Sequence, residues 1–388
     1  MLLSTTLVAL SVLVPVLAQT TYDPQALAGS LNLTNSFNYT FPPAESLKEY
    51  ANTTLRSGSS FTRGNNATYN FMRNNWNLWK NSTQFGRTNL GFVADPEARS
   101  TLSSDLPLAL AVEYPAGSYS HATGGAQFYS AFPNTSNSSG ISPLSMLLTY
   151  SVWFPANYSF VQGGKLAGLR GGDVSGCSGG ERTDGTTCFS SRLMWRTGGA
   201  GEVYAYIPEV NNVCSLSNAI CDSEYGISLG RGQFTFERGA WNDIALYVQL
   251  NSPPSASNGI IQLYHNGNKS IEFTNLVLRT ANSISHVGGQ MFSTFFGGSD
   301  SSWATPTTQY TYYRDMAMYA SDEPWVANST DGGSWSDPGI NGGNGSSGGS
   351  DGTGSNSKTG AAKSRWISGQ SSMVATLATI LGLLVVVI

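Results

Sequence analysis

The chain has 388 residues, of which only 11% are charged and 40% hydrophobic; it carries 44 glycines and a net charge of −4. That balance offers no basic face for nucleic acid, and within residues 161–320 ten Lys/Arg stand against twelve Asp/Glu. Affinity for a polyanion has to come from a few cations placed in a groove, not from the overall field.

In chain order, residues 1–18 read as a removable signal peptide. An apolar run from Leu7 to Leu17, broken only by Ser11 and Pro15, is too short to span a bilayer and ends on small residues before Gln19. Residues 19–85 are rich in Asn, Thr and Ser and form a glycosylated extension, with short helices expected at Ala44–Leu55 and Tyr69–Lys80. Residues 86–326 are the folded body. Residues 327–360, with almost nothing apolar to bury, read as a Gly/Ser-rich stalk. At the end, Gly360-Ala361-Ala362, a polar spacer Lys363–Ser372 and an uncharged tail Met373–Ile388 follow the order of a glycolipid-anchor signal. A tail-anchored helix competes with that reading, although sixteen residues fall short of the ~20 needed to span.

Eleven Asn-x-Ser/Thr sequons, at Asn32, Asn38, Asn52, Asn66, Asn81, Asn134, Asn137, Asn157, Asn268, Asn328 and Asn344, fit a chain sent outside the cell. The four cysteines suit two disulfides in an oxidising compartment, and Cys177–Cys188 with Cys214–Cys221 is the simplest of three connectivities. There is no CxxC and no His within the cysteine cluster, so neither metal nor cofactor is expected.

The body reads as strands. Leu108, Leu110, Val112 and Tyr114 alternate with smaller or polar partners, as do Met146 to Phe154 and Ile244 to Leu250. Asn266-Gly267 marks a hairpin between Ile260–His265 and Ser270–Phe273, and Gln309–Tyr319 is a last aromatic strand. Many strands over about 240 residues predict an all-β sandwich or jelly roll.

Phe189–Pro208 is the most informative stretch. Phe189, Ser191, Leu193 and Trp195 alternate with Ser190, Arg192, Met194 and Arg196; then Val203, Ala205 and Ile207 alternate with Glu202, Tyr204 and Tyr206. A hairpin closed by Thr197–Gly201, with Arg196 opposite Glu202, sets Arg192 against Tyr206 and Met194 against Tyr204. Side chains alternate with period two, so Ser190, Arg192, Tyr204 and Tyr206 share one exposed face while the apolar set faces the core. A guanidinium beside a phenol favours the phenolate, which would draw a tyrosine there below its usual range. An ordinary solvent-facing β surface with aromatic pairs reads the same way. Upstream, Lys165 stands in the glycine-rich loop Gly163–Gly172, whose order is wrong for a phosphate loop.

Val152-Trp153-Phe154-Pro155, Gly163-Gly164-Lys165-Leu166, Ser190-x-Arg192-Leu-Met-Trp195-Arg196 and Glu202-Val-Tyr204-Ala-Tyr206 together resemble polysaccharide lyase family 14, the alginate and glucuronan lyases, especially its secreted fungal branch. Gly124–Phe128, Ser228–Gly232 and Ser293–Asp300 extend the resemblance over roughly residues 86–320. Ala167 stands where that family usually has proline. The resemblance implies a β-jelly roll with a carbohydrate groove on its concave face. It also implies catalytic roles for Lys165, Ser190, Arg192, Tyr204 and Tyr206, in a β-elimination on a uronic-acid polymer. Arg192 would offset the carboxylate, with Lys165 as a second cation or as the base. Tyr204 and Tyr206 would supply base and acid in an order left open, and Ser190 would position substrate by hydrogen bonding.

The expected partner is an acidic polysaccharide, the expected state a monomer on the cell surface. A non-catalytic carbohydrate-binding or wall-adhesion protein on the same fold remains the alternative, using Trp153, Trp195, Trp241 and Trp303. A glycoside hydrolase is disfavoured, since no Glu-x-Asp-x-x-Glu strand occurs in the body.

Overall fold

The alternating segments are strands in the computed structural model, which describes residues 23–50, 66–101, 106–133, 140–298 and 300–324. These all fall within one compact unit, Tyr22–Asp331. The segments read as signal peptide, stalk and anchor signal lie outside the described residues. No helix among the described residues is long and apolar enough to cross a membrane.

The described strands are β1 Asn35–Asn38, β2 Leu78–Phe85, β3 Leu90–Val93, β4 Ala109–Tyr114, β5 Ala126–Ala131, β6 Ser145–Trp153, β7 Gly163–Gly172 and β8 Cys188–Arg196. They continue with β9 Gly201–Tyr206, β10 Ala219–Ile220, β11 Ile227–Leu229, β12 Trp241–Gln249, β13 Gly259–His265, β14 Asn268–Leu276, β15 Gly289–Phe296 and β16 Gln309–Ser321. They form two antiparallel sheets. The first runs β14-β13-β12-β6-β16-β4-β3, with β1 added on β16; the second runs β10-β11-β9-β8-β7-β15-β5-β2.

The two sheets bury their apolar faces against each other, as expected for a sandwich. Met146, Leu148, Tyr150, Val152 and Phe154 from β6 and the residue after it meet Leu166, Leu169, Phe189, Leu193, Trp195, Val203 and Ala205 from the second sheet. Two polar atoms within this core are matched: Trp195 Nε1 donates to Phe160 O at 3.1 Å and the Tyr150 hydroxyl to Ala167 O at 3.2 Å. The hairpin at Asn266-Gly267 joins β13 to β14 as the sequence predicts.

The segment before residue 86 is not set apart from the body. Strand β1 pairs with β16 and β2 with β5. Trp76 is wholly buried in the main core, its Nε1 donating to Thr40 O at 2.7 Å and its ring packed on Phe41, Phe92 and Phe128. The expected helix over Tyr69–Lys80 is instead Asn66–Asn75, and Leu78–Lys80 is strand. Trp76 explains the change, because its large ring secures more by entering the sandwich than by prolonging an exposed helix. The described part of the other expected helix is a 3₁₀ turn Ala44–Ser46 running into Leu47–Tyr50, and its residues 51–55 lie outside the described residues.

Candidate active site

The hairpin β8–β9 has the predicted parity but a different register. Arg192 lies opposite Tyr204, Ser190 opposite Tyr206 and Met194 opposite Glu202, a shift of two from the predicted pairing. The cause is a tighter turn: Gly198 and Gly199 adopt φ of +73° and +89°, so Arg196 N already bonds Ala200 O at 2.7 Å. An even shift keeps every side chain on its face, so the polar cluster survives. Arg196 still reaches Glu202 diagonally, with Nε at 2.8 Å and Nη2 at 2.6 Å from Oε1.

Lys165 joins the same face from β7, where it lies opposite Met194 on one side and Phe295 on the other. The glycine-rich segment expected as a loop is therefore a central strand. Its glycines are set by packing: a Cβ at Gly164 would come within 2.0 Å of the Trp195 ring. A bulge between Lys165 and Gly168 turns Leu166 and Ala167 into the core while Lys165 stays on the outer face. Its Nζ lies 5.1 Å from the Tyr204 ring centroid and 5.3 Å from that of Phe295.

The face is not open to solvent as predicted. Ser190 and Arg192 are 1% exposed, Tyr206 2% and Tyr204 6%. Two connections roof it. From the loop between β7 and β8, Gly180 N donates to the Tyr206 hydroxyl at 3.0 Å, while Cys177 O accepts from Ser190 Oγ at 2.6 Å. From the segment before β11, Gly226 N donates to the Tyr204 hydroxyl at 3.0 Å. The first loop is tied down by the disulfide Cys177–Cys188, and the second cysteine pair is Cys214–Cys221, both as expected.

Sequence reasoning missed several members of this face. Ser293 Oγ is 3.4 Å from Arg192 Nη1 and donates to Gln127 Oε1 at 2.7 Å; Gln127 Nε2 donates to the Tyr129 hydroxyl at 3.0 Å. The Arg170 guanidinium stacks 5.1 Å from the Tyr129 ring. Glu202 is buried and fully engaged, accepting from Arg196, from Ser228 Oγ at 2.6 Å and from Arg231 Nε at 2.6 Å. A carboxylate so engaged is an anchor for two arginines rather than a general acid. Gln127 and Ser293 did lie inside stretches that carried the family resemblance, but nothing in their alternation marked them as site residues.

The electrostatics separate the two kinds of titrating group. Burial, then repulsion from Arg192 and Arg196, lowers Lys165 from 10.5 to about 7, against a smaller pull from Glu202. Burial raises Tyr204 well above the usual phenol range, reinforced by Tyr206 and opposed by the Gly226 hydrogen bond and by Arg192. The expected lowering of a tyrosine by its arginine neighbour is thus overturned at Tyr204, because desolvation outweighs the guanidinium. Arg192 itself has no hydrogen-bond partner for Nε or Nη2, and no carboxylate among the described residues pairs with it. A buried cation left so incomplete is costly, and its donors suit a planar carboxylate.

The β-sandwich thus gathers a lysine, an arginine, a serine and two tyrosines under a loop roof, a set able to offset a carboxylate and to move protons beside it. Residues 103–316 match the model of polysaccharide lyase 14, and the chain belongs to that family. It is similar to the marine PL-14 alginate lyase from Aplysia kurodai, with 36% identity over 61% of this chain and 89% of that one, at a TM-score of 0.52. It is also similar to exolysin of Paramecium bursaria Chlorella virus 1, with 29% identity over 171 residues. That match spans 40% of this chain and 26% of the viral protein, about a quarter of its length. Alginate lyase Aly36B in complex with an alginate tetrasaccharide shares the fold, at TM-score 0.53 and 15% identity over 74% of this chain and 96% of that one.

Proposed function

We propose that this chain is an extracellular polysaccharide lyase that cleaves a uronic-acid polymer of the alginate or glucuronan type by β-elimination. The observation that carries the reading is Arg192: a guanidinium 1% exposed, with two nitrogens lacking acceptors. A uronate carboxylate supplies both the charge and the acceptors that this site lacks. The similarity to an alginate lyase at 36% identity supports the same substrate class.

The chemistry follows from the pKa ordering. With the carboxylate charge offset by Arg192, negative charge can build at C5. Lys165, neutral in part near pH 7, takes the C5 proton. The C4–O bond breaks as the C4=C5 double bond forms, and the departing oxygen takes a proton from Tyr204, which burial keeps protonated. Lys165 leaves the step as an ammonium and Tyr204 as a phenolate. Their proximity, 5.1 Å from nitrogen to ring centroid, favours return of the proton and restores both groups. Ser190 and Tyr206 position substrate once their contacts to Cys177 O and Gly180 N are exchanged for sugar hydroxyls.

In this reading the enzyme is a secreted monomer of the fungal branch of its family, held at the surface by a C-terminal glycolipid; the apolar ends and the sequons support its export and anchoring. Incubation with alginate and with glucuronan, followed by ultraviolet absorbance of the unsaturated product, tests the activity. Product is expected from at least one polymer. Binding without any double bond formed would instead favour the adhesion protein. Release of the protein from cells by a phosphatidylinositol-specific phospholipase tests the anchor.

A further inference from the structure

The row of side chains that begins at Arg192 continues to the far edge of the catalytic sheet. Arg192 Nη1 reaches Ser293 Oγ, Ser293 lies opposite Gln127, and Gln127 lies opposite Phe85 on β2. Residues directly opposite in an antiparallel pair share a face, so Phe85 stands on the same side of the sheet as Arg192. Phe295 shares that side, since it lies opposite Lys165, whose Nζ is 5.3 Å from its ring centroid. The connection between β4 and β5 brings a third ring, that of His121. It lies 5.2 Å from the Phe85 ring and 6.1 Å from that of Phe295, and the two phenyl rings are 6.0 Å apart.

Backbone contacts explain why rings from three segments meet. A Cβ on Gly86 would lie 1.9 Å from Gly125 O, and a Cβ on Gly125 would lie 1.9 Å from Thr294 O. Only glycine lets the three backbones approach so closely, and Phe85 and Phe295 are the residues next to these contacts. Asn89 Nδ2 fastens the junction by donating to Gly125 O at 2.8 Å. The rings meet tilted or edge to face, none stacked flat on another. Phe85 and Phe295 stay half-buried and His121 is exposed, so the cluster offers aromatic surface beside Lys165. A pyranose lays its C–H face on such a ring, and aromatic walls with a few placed polar groups are the usual lining of a ligand cleft.

We propose that Phe85, His121 and Phe295 form a sugar-binding subsite, which holds a uronate further along the same polymer chain than the one paired with Arg192. Phe85 is the last residue of the segment that the sequence reads as an extension, so that segment supplies one wall of the cleft. The subsite rests on the lyase reading for its ligand, because the occupant is the polymer whose carboxylate Arg192 and Lys165 attract.

The test measures turnover of the full chain on long polymer and on oligosaccharides of decreasing length. Phe85→Ala should raise KM for the polymer about tenfold while kcat moves by less than about twofold. The rise should shrink as the substrate becomes too short to reach β2. His121→Asp sets a carboxylate beside the polyanion on an exposed loop, where folding is not at risk, and should raise KM most at low ionic strength. In an active parent, an unaltered KM in both variants overturns the subsite alone, as does a loss equal on polymer and on the shortest oligomer cleaved. Affinity electrophoresis through gels with and without alginate or glucuronan reads the same contact without turnover. A parent that forms no product sinks the lyase reading, and retardation then decides the subsite. Polymer that slows the parent more than both variants sustains it, and equal retardation overturns it.

Discussion

Arg192 and Tyr204 face each other across β8 and β9, a buried guanidinium with no carboxylate partner among the described residues beside a phenol that burial keeps protonated. The pair gives the first expectation. Tyr204→Phe should lower turnover by about two to four orders of magnitude, the usual size of a lost acid–base group, with a much smaller change in substrate affinity. The hydroxyl also accepts from Gly226 N, so its loss should cost about 1–2 kcal/mol of stability. Steady-state kinetics and thermal melting of the same variant separate the two effects. An unchanged kcat would remove Tyr204 from the chemistry.

Arg192→Met should do the opposite to stability. An unpaired charge under the loop roof is held at a cost, and an apolar side chain of similar length does not bear it. We expect the variant to be more stable by about 1–2 kcal/mol while both binding and turnover collapse. Denaturant unfolding measures the first and polymer retention the second. A destabilised Arg192→Met would show that the residue holds the fold rather than the substrate.

The parity of this site was legible in sequence, and its surroundings were not. Alternation alone put Ser190, Arg192, Tyr204 and Tyr206 on one face, because period two survives any even change of register. The register itself depended on how tightly Gly198 and Gly199 turn, which composition does not state. Lys165 read as a loop residue because the need for Gly164 comes from the Trp195 ring, thirty-one positions away in sequence. The roof was invisible for a similar reason: Gly180 and Gly226 reach the tyrosines through backbone atoms, which carry no residue signature. Trp76 was hidden within a segment whose polar composition looked like an extension. The cysteine pairing, by contrast, followed from short separations alone.

That hidden tryptophan gives a test of where the folded body begins. Trp76→Ala should destabilise the whole sandwich by about 3–5 kcal/mol, the range for emptying a large aromatic site. A chain starting at residue 86 should fail to fold, since it also lacks β1 and β2. If such a truncation melted cooperatively at the full-length temperature, residues 23–85 would be an appendage after all.

The two disulfides should behave differently. Each closes a short loop, so removing either by paired Cys→Ser substitution should cost about 2–3 kcal/mol. Only Cys177–Cys188 anchors the roof, through the bond from Ser190 Oγ to Cys177 O. Losing it should therefore raise KM several-fold under conditions where both variants are folded, whereas losing Cys214–Cys221 should leave KM near that of the parent. Equal kinetics for the two variants would mean that the roof takes no part in holding substrate.

Lys165 makes the pH dependence specific. Its amine must be neutral to take the C5 proton, and its pKa lies near 7, while Tyr204 stays protonated far into the alkaline range. Activity should therefore rise about tenfold per pH unit below 7 and level off above it, without a falling limb from Tyr204 in the mildly alkaline range. The same shift acts on stability with a definite sign. Between about pH 7 and 10.5 the unfolded chain holds a proton on Lys165 that the folded chain has released. The Lys165 contribution to stability hence improves with rising pH across that window, and its full cost is present below it. Lys165→Met should be more stable than the parent at pH 6, with the difference shrinking towards pH 10. The rate profile and the paired melting curves are independent readouts of one ionisation. A flat rate profile from pH 5 to 8, with no pH-dependent stability difference, would exclude Lys165 as the base and leave it as a second cation for the carboxylate.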